Sequence, residues 1–303
     1  MSTDAASRKR ANALARACFA FNGLVLANIA LGALVRAHGA GLACPDWPLC
    51  FGDAIPQFDF KVAWEVGHRY VVALLSTAFA ALGVAVLAHA ELRRVAGKIW
   101  TVGLALLVLQ VLLGATTVWF QLAAWSVTSH LIVGNAWNAS VLWLGLTLRA
   151  HARGAARAAL PRRLRLAVAL AALFLFFQIA LGGLVSSRAA GLACSQWPSC
   201  YGDAWFPVWG MTNPIGLHVH HRANAYLLAG LATWMAFSAR GEPRLERPAL
   251  LALALVFVQI AIGIANVLLQ LRVEITALHT AMAGMLVLVL TACAHAAFAE
   301  ESR

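Results

Sequence analysis

Eight stretches of this chain are apolar over the roughly 20 residues that a helix needs to cross a bilayer. They lie at 17–36, 65–89, 99–120, 125–148, 165–186, 218–239, 249–270 and 275–297. Inside hydrocarbon no water satisfies the backbone N–H and C=O groups, so runs of this kind span as helices. With 62% of its residues hydrophobic and 12% charged, against about half and about a quarter in a soluble domain, the chain is excluded from the soluble globular class. The connections between runs are too short for a separate soluble domain. The first run follows Arg8, Lys9, Arg10 and Arg16, as a secretory leader would. It exceeds the ~7–15 apolar residues of such a leader and ends in no small-residue cleavage site, so it reads as a retained helix. The expected class is an all-α integral membrane protein with eight transmembrane helices.

A formal net charge of +11 would suit nucleic acid only if the cations shared one continuous wet surface. Here they collect at alternate connections: Arg8, Lys9, Arg10 and Arg16, then Arg93, Arg94 and Lys98, then Arg149, Arg153, Arg157, Arg162, Arg163 and Arg165, then Arg240, Arg244 and Arg247, with Arg303 at the end. Only Arg36, Lys61, Arg69, Arg188, Arg222 and Arg272 fall on the opposite side. Cytoplasmic segments retain lysine and arginine. The pattern predicts a multi-pass protein of the cell inner membrane with both termini cytoplasmic, loops 37–64 and 186–217 outside, lipid as its surroundings and no nucleic acid partner.

The segment GALVRAHGAGLACPDWPLCFGDA from Gly32 recurs as GGLVSSRAAGLACSQWPSCYGDA from Gly182. His68-Arg69 recurs as His221-Arg222, and His130 as His279. Such a repeat predicts two parallel-repeat four-helix bundles related by an axis along the membrane normal, with matched residues at matched depth. The expected boundaries are a cytoplasmic tail at 1–16, a first half at 17–148, a cytoplasmic linker at 149–164, a second half at 165–297 and a tail at 298–303. A smaller repeat places a polar residue four before a glycine: Asn28 and Gly32, Gln110 and Gly114, Gln178 and Gly182, Gln259 and Gly263. It reads as close helix packing with interhelical hydrogen bonds, with cofactor contact as the alternative.

Four histidines, His68, His130, His221 and His279, carry the chemistry. A histidine within a membrane helix is costly without a partner, and two imidazoles facing each other at one depth in a bundle suit axial ligation of haem iron. His38, His89, His151 and His295 fall at loops or helix ends and read as solvated. In HVHHR, His218, His220 and His221 cannot share a direction; the following arginine singles out His221, and His218 lies on nearly the same face. Glu65 stands three residues before His68, where the second half has His218. It offers the first site a proton acceptor or electrostatic stabiliser; the alternative is a solvated glutamate at a helix start.

Each outer loop carries two cysteines with five residues between them, Cys44 with Cys50 and Cys194 with Cys200. On the outer side disulfides persist, and the Trp-Pro between them allows a turn that brings the sulfurs together. A structural clip is expected for the second pair; for the first, near Glu65, a redox role stands beside it. Cys18 and Cys293 read as apolar filler.

Together, E-x-x-H-R at Glu65 to Arg69, the paired loop cysteines and a histidine in the fourth helix of each half make the chain resemble the haem A synthase family over nearly its whole length. The resemblance implies an oxidase that converts a methyl substituent of haem O to the formyl group of haem A for cytochrome oxidase assembly. By position, His68 and His130 would flank the substrate haem, Glu65 would be the catalytic carboxylate, and His221 and His279 would ligate a haem b cofactor. It implies an electron donor or acceptor of unidentified kind, and a haem O-producing farnesyltransferase as a neighbour. Arg36, Arg69, Arg188 and Arg222 could pair with haem propionates or snorkel at helix ends. The rival readings are a di-haem electron-transfer protein, which gives Glu65 no task, and a transporter with parallel repeats, which predicts no haem absorbance.

Overall fold

A computed structural model describes residues 2–154, 159–207 and 210–299; Arg157 and Arg303, read above as cytoplasmic, lie outside the described residues. The described residues form eight helices: α1 (Ser2–Ala37), α2 (Phe60–Leu87), α3 (Ala90–Trp119), α4 (Ala124–Arg153), α5 (Arg162–Ser187), α6 (Pro214–Ser238), α7 (Glu246–Leu268) and α8 (Val273–Phe298). Among the described residues there is no strand, only an isolated bridge in each long loop, Cys50 with Asp53 and Tyr201 with Ala204. Among the described residues seven of these helices are long and apolar enough to cross a membrane; α6 is less apolar than the rest. Its first half carries His218, His220, His221, Arg222 and Asn224, which lower its mean hydropathy. The protein is an integral membrane protein whose outer surface keeps large apolar side chains exposed, Leu74 and Val84 at 70% among them.

The helices begin earlier than the apolar runs, because hydropathy sees the part in lipid and misses the caps. α1 continues back through its basic residues to Ser2, and its 36 residues span ~54 Å at 1.5 Å each, well beyond a ~30 Å hydrocarbon core. α2 starts at Phe60, where Asp59 Oδ1 accepts from the N–H groups of Lys61 (2.9 Å) and Val62 (3.2 Å), a side-chain N-cap. α6 starts at Pro214 behind Asn213, whose Oδ1 accepts from Ile215 N at 2.8 Å. Glu65 and His218 therefore lie a full turn inside their helices.

α1 packs on α2 and α4, α2 on α3, and α3 on α4; likewise α5 packs on α6 and α8, α6 on α7, and α7 on α8. Contacts of α1 with α8, and of α4 with α5 and α8, join the two sets. The first set closes on an aromatic core in which Phe21, Phe79 and Trp137 meet at 5.7–6.1 Å between ring centroids. The second set closes on aliphatic residues such as Leu175, Leu228, Met235 and Leu286.

Candidate functional site

All four histidines named from the sequence sit against a glycine of the preceding helix. A Cβ built on Gly32 would lie 3.2 Å from His68 Cε1; on Gly114, 3.2 Å from His130 Cε1; on Gly182, 3.1 Å from His221 Cε1; and on Gly263, 3.1 Å from His279 Cε1. Glycine is needed in each case so that the imidazole can approach the helix backbone. The polar residue one turn earlier braces the same contact in three of the four pairs. Gln110 Nε2 lies 3.3 Å from His130 Nε2. Gln178 Nε2 lies 3.4 Å from His221 Nε2, donates to His221 O at 3.1 Å, and the Gln178 side chain accepts from Asn224 Nδ2 at 2.7 Å. Gln259 Nε2 donates to His279 O at 2.9 Å. The short polar-to-glycine repeat is thus the seat of the histidines.

Each of the four imidazoles thus occupies the same kind of seat on its neighbouring helix. Each ring is half-buried, and each Nδ1 is buried with no hydrogen-bond partner in the chain. An orphaned buried ring nitrogen calls for a partner. Haem iron takes one or two axial imidazoles from the protein, and a buried imidazole with an unpartnered nitrogen is a donor of that kind. The residues present therefore fit haem.

Glu65 is 8% exposed, which removes the solvated-glutamate reading. Its Oε1 accepts from Arg69 Nε at 3.1 Å, and Arg69 Nη2 stands 3.1 Å from the same oxygen. Arg69 Nη1 then reaches the disulfide loop, donating to Leu49 O at 2.6 Å and Asp46 O at 2.9 Å. The second half copies this device with different chemistry: Arg222 Nε contacts His218 Nε2 at 3.3 Å, and Arg222 Nη2 donates to Cys194 O (2.8 Å) and Gln196 O (2.9 Å). His218 Nδ1 also faces Cys194 N at 3.2 Å, so His218 is taken up by the loop. His220 is exposed and bonds Gly216 O through Nδ1 at 2.7 Å. Only His221 of the three turns toward Gly182.

Cys44 is bonded to Cys50 and Cys194 to Cys200. Each loop also holds a cis peptide, Trp47-Pro48 and Trp197-Pro198. In the first loop Asp46 receives N–H groups from Phe51 (2.7 Å) and Gly52 (2.8 Å). These bonds, Gly52's foremost, hold its carboxyl below the usual carboxylate range; the matched residue of the second loop is the neutral Gln196. Arg69 and Arg222 are thus committed to loop carbonyls, and Arg36 to Ser186 O, while Arg188 is exposed. His295 departs from its reading as solvated. It is 3% exposed, with the Trp143 ring 5.0 Å away and Thr147 Oγ1 3.2 Å from Nε2, because α8 turns that end onto α4. His38 stacks on Trp64 at 5.0 Å, His151 Nε2 lies 3.1 Å from Glu91 Oε1, and His89 lies 3.2 Å from Arg10 Nη1. Sequence reasoning also passed over the buried pair of Asn22 and Asn138, whose side chains bond at 2.8 Å; two asparagines in adjacent membrane helices were the available signal.

The family described as cytochrome oxidase assembly protein matches residues 15–291. A heme A synthase of Shewanella oneidensis is 30% identical over 86% of this chain and 90% of its own. One of Methylobacterium sp. strain 4-46 is 32% identical over 96% and 93%, and one of Rhizorhabdus wittichii is 30% identical over 96% of both. With all but the ends of the sequence matched, this chain belongs to the cytochrome oxidase assembly protein family.

Proposed function

We propose that the protein is a haem A synthase, an oxidase that converts a methyl substituent of haem O to the formyl group of haem A in cytochrome oxidase assembly. The observation that carries this reading is the set of four glycine-seated imidazoles, each with a buried, unpartnered Nδ1. His68 and His130 hold the substrate haem with Glu65 beside it, and His221 and His279 hold haem b. Bound haem supplies the redox chemistry that an aliphatic C–H bond demands and that side-chain acid and base cannot deliver. The chain's own residues do the rest. Gly32 and Gly114 let the first pair of rings sit close to α1 and α3, Arg69 orients the Glu65 carboxylate, and that carboxylate accepts or returns a proton near the reacting substituent. Haem O arrives from a farnesyltransferase, and an electron donor or acceptor completes the cycle. Expression with a haem O supply, followed by chromatography of extracted haems, tests the assignment: haem A must accumulate with the intact protein and be absent without it. The di-haem electron-transfer reading keeps one point in its favour, since pairing with Arg69 would also occupy a purely structural Glu65; it predicts haem without haem A.

The halves at 17–148 and 165–297 are read as parallel four-helix repeats. Residues that correspond in the repeat touch each other, Arg36 with Ser186 and Asn135 Oδ1 within 3.6 Å of a Cβ built on Gly284. Such self-contacts belong on a two-fold axis. Both termini are assigned to the cytoplasm and both cysteine loops to the outside. Because Cys44 and Cys194 are buried, the reporter belongs at Ile55, which is 86% exposed. Ile55→Cys in intact cells opened to the periplasm should react with a membrane-impermeant thiol reagent; protection until lysis reverses the orientation.

The glycine seats give a further prediction. Gly263→Val forces side-chain bulk against His279, and overpacking of this kind costs ~1–3 kcal/mol. Haem b affinity should fall about tenfold, as read by haem content of the purified protein. Gly230→Val on α6 meets nothing within 4 Å and should retain haem; equal retention by both variants removes the seat from the site.

A further inference from the structure

The internal repeat aligns His68 with His221, Asn28 with Gln178 and Val71 with Asn224, and the two halves treat the aligned histidines differently. In the second half Asn224 is buried, and its Nδ2 donates to Phe174 O at 3.2 Å and to the Gln178 side-chain oxygen at 2.7 Å. Asn224 thereby ties α6 to α5 and fixes the Gln178 amide, whose Nε2 donates to His221 O at 3.1 Å and lies 3.4 Å from His221 Nε2. His279 is held through its own carbonyl by Gln259 at 2.9 Å. Both seated histidines of the second half therefore have a glutamine brace. In the first half His130 has one, Gln110 at 3.3 Å, and His68 has none. Asn28 is a methylene shorter than glutamine, its Oδ1 is buried without a partner, and among the described residues no hydrogen bond joins it to His68. Val71, in the place of Asn224, has no polar atom to hold an amide and packs against the apolar core of the first half.

We propose that Asn224 and Gln178 are positioning residues that make the haem of the second half a resident, and that Asn28 and Val71 leave His68 unbraced so that the haem of the first half exchanges. This rests on the two haem sites proposed above. A partner that orients a ligating imidazole is worth about ten- to hundredfold in affinity for the metal. A cofactor that stays through every turnover gains from that hold. A substrate that must leave as product is slowed by it, and product release sets many turnover rates. The two aligned positions depart together, on different helices, and the departure at Asn28 leaves a buried acceptor unsatisfied, which is unfavourable. A seat built only to hold its histidine would avoid that cost with the glutamine used at the other three.

The test follows release of each haem from the full-length protein in dodecyl maltoside, purified after expression with a haem O supply. Excess apomyoglobin traps released haem, and chromatography of the haems that stay behind separates haem b from the farnesylated haem of the first site. N28Q/V71N rebuilds the brace in the first half and should slow release of the farnesylated haem about tenfold, with haem b release unchanged. Loosening of the fold would speed release, so slowing is an outcome that a merely structural role does not produce. N224V should speed haem b release about tenfold and leave the farnesylated haem as in wild type. Release of the farnesylated haem at the wild-type rate from folded N28Q/V71N overturns the proposal, and so does equal acceleration of both haems in N224V. If N28Q/V71N does not fold, N224V decides: selective loss of haem b supports the brace, and haem b release at the wild-type rate overturns it. Failure of the parent reading has a different signature, since wild-type protein carrying no farnesylated haem despite the supply removes the substrate site. N224V then still tests the brace, which requires faster haem b release at an unchanged Tm and is overturned by any other result.

Discussion

Glu65→Gln is expected to leave the protein folded and loaded with haem b while haem A formation falls by ~10²- to 10⁴-fold, the contribution typical of a positioned acid or base. The substitution keeps the shape of the side chain and an oxygen able to accept from Arg69 Nε, now 3.1 Å away. What disappears is the charge and the capacity to take a proton. Removing one partner of a buried ion pair can cost ~3–5 kcal/mol, but here Arg69 retains the carbonyls of Asp46 and Leu49, so the loop remains tied and the fold is spared most of that cost. Arg69→Gln frees the loop and leaves the carboxylate present but without the partner that orients it, so it should lower haem A as well, by less than Glu65→Gln. Any haem extracted from the first site of Glu65→Gln should be haem O or a partly oxidised form. Near-normal haem A from Glu65→Gln would give Glu65 a structural task only.

His279→Ala should strip haem b from the purified protein and abolish haem A formation with it. The ring sits on Gly263 with a buried, unpartnered Nδ1, and alanine leaves neither a ligand nor a replacement for it. His130→Ala should instead spare haem b and lose the substrate site. The pyridine haemochrome of the two proteins separates these outcomes. An unchanged spectrum and haem content in His279→Ala refutes the assignment of haem b to the second half, and loss of haem b in His130→Ala with retention in His279→Ala exchanges the two sites.

Most residues of the candidate site were named before any coordinates. The repeat picked out His68, His130, His221 and His279, and the asymmetry between Glu65 and His218 marked the first half as the different one. The choice within HVHHR was not legible by direction alone: residues 218 and 221 lie on nearly one helical face, and only contacts from other elements separate them. The loop backbone at Cys194 takes His218, and the gap at Gly182 takes His221. The arginines after the histidines read equally well as propionate partners or as snorkelling side chains, and they turned out to bind the disulfide loops, whose path no periodicity describes.

The sequence by itself determined the membrane-spanning helical class, the internal repeat and the residues proposed to carry the chemistry. Hydrocarbon allows so few backbone solutions that hydropathy and spacing suffice for these. Tertiary structure alone decided where helices start, since Asp59 and Asn213 cap them outside the apolar zone. It alone showed that His295 is buried against α4 and that each polar-to-glycine repeat is the seat of a histidine. Those outcomes depend on how each helix is rotated about its axis and on which neighbour fills the space beside it, and a one-dimensional pattern of apolar residues carries neither.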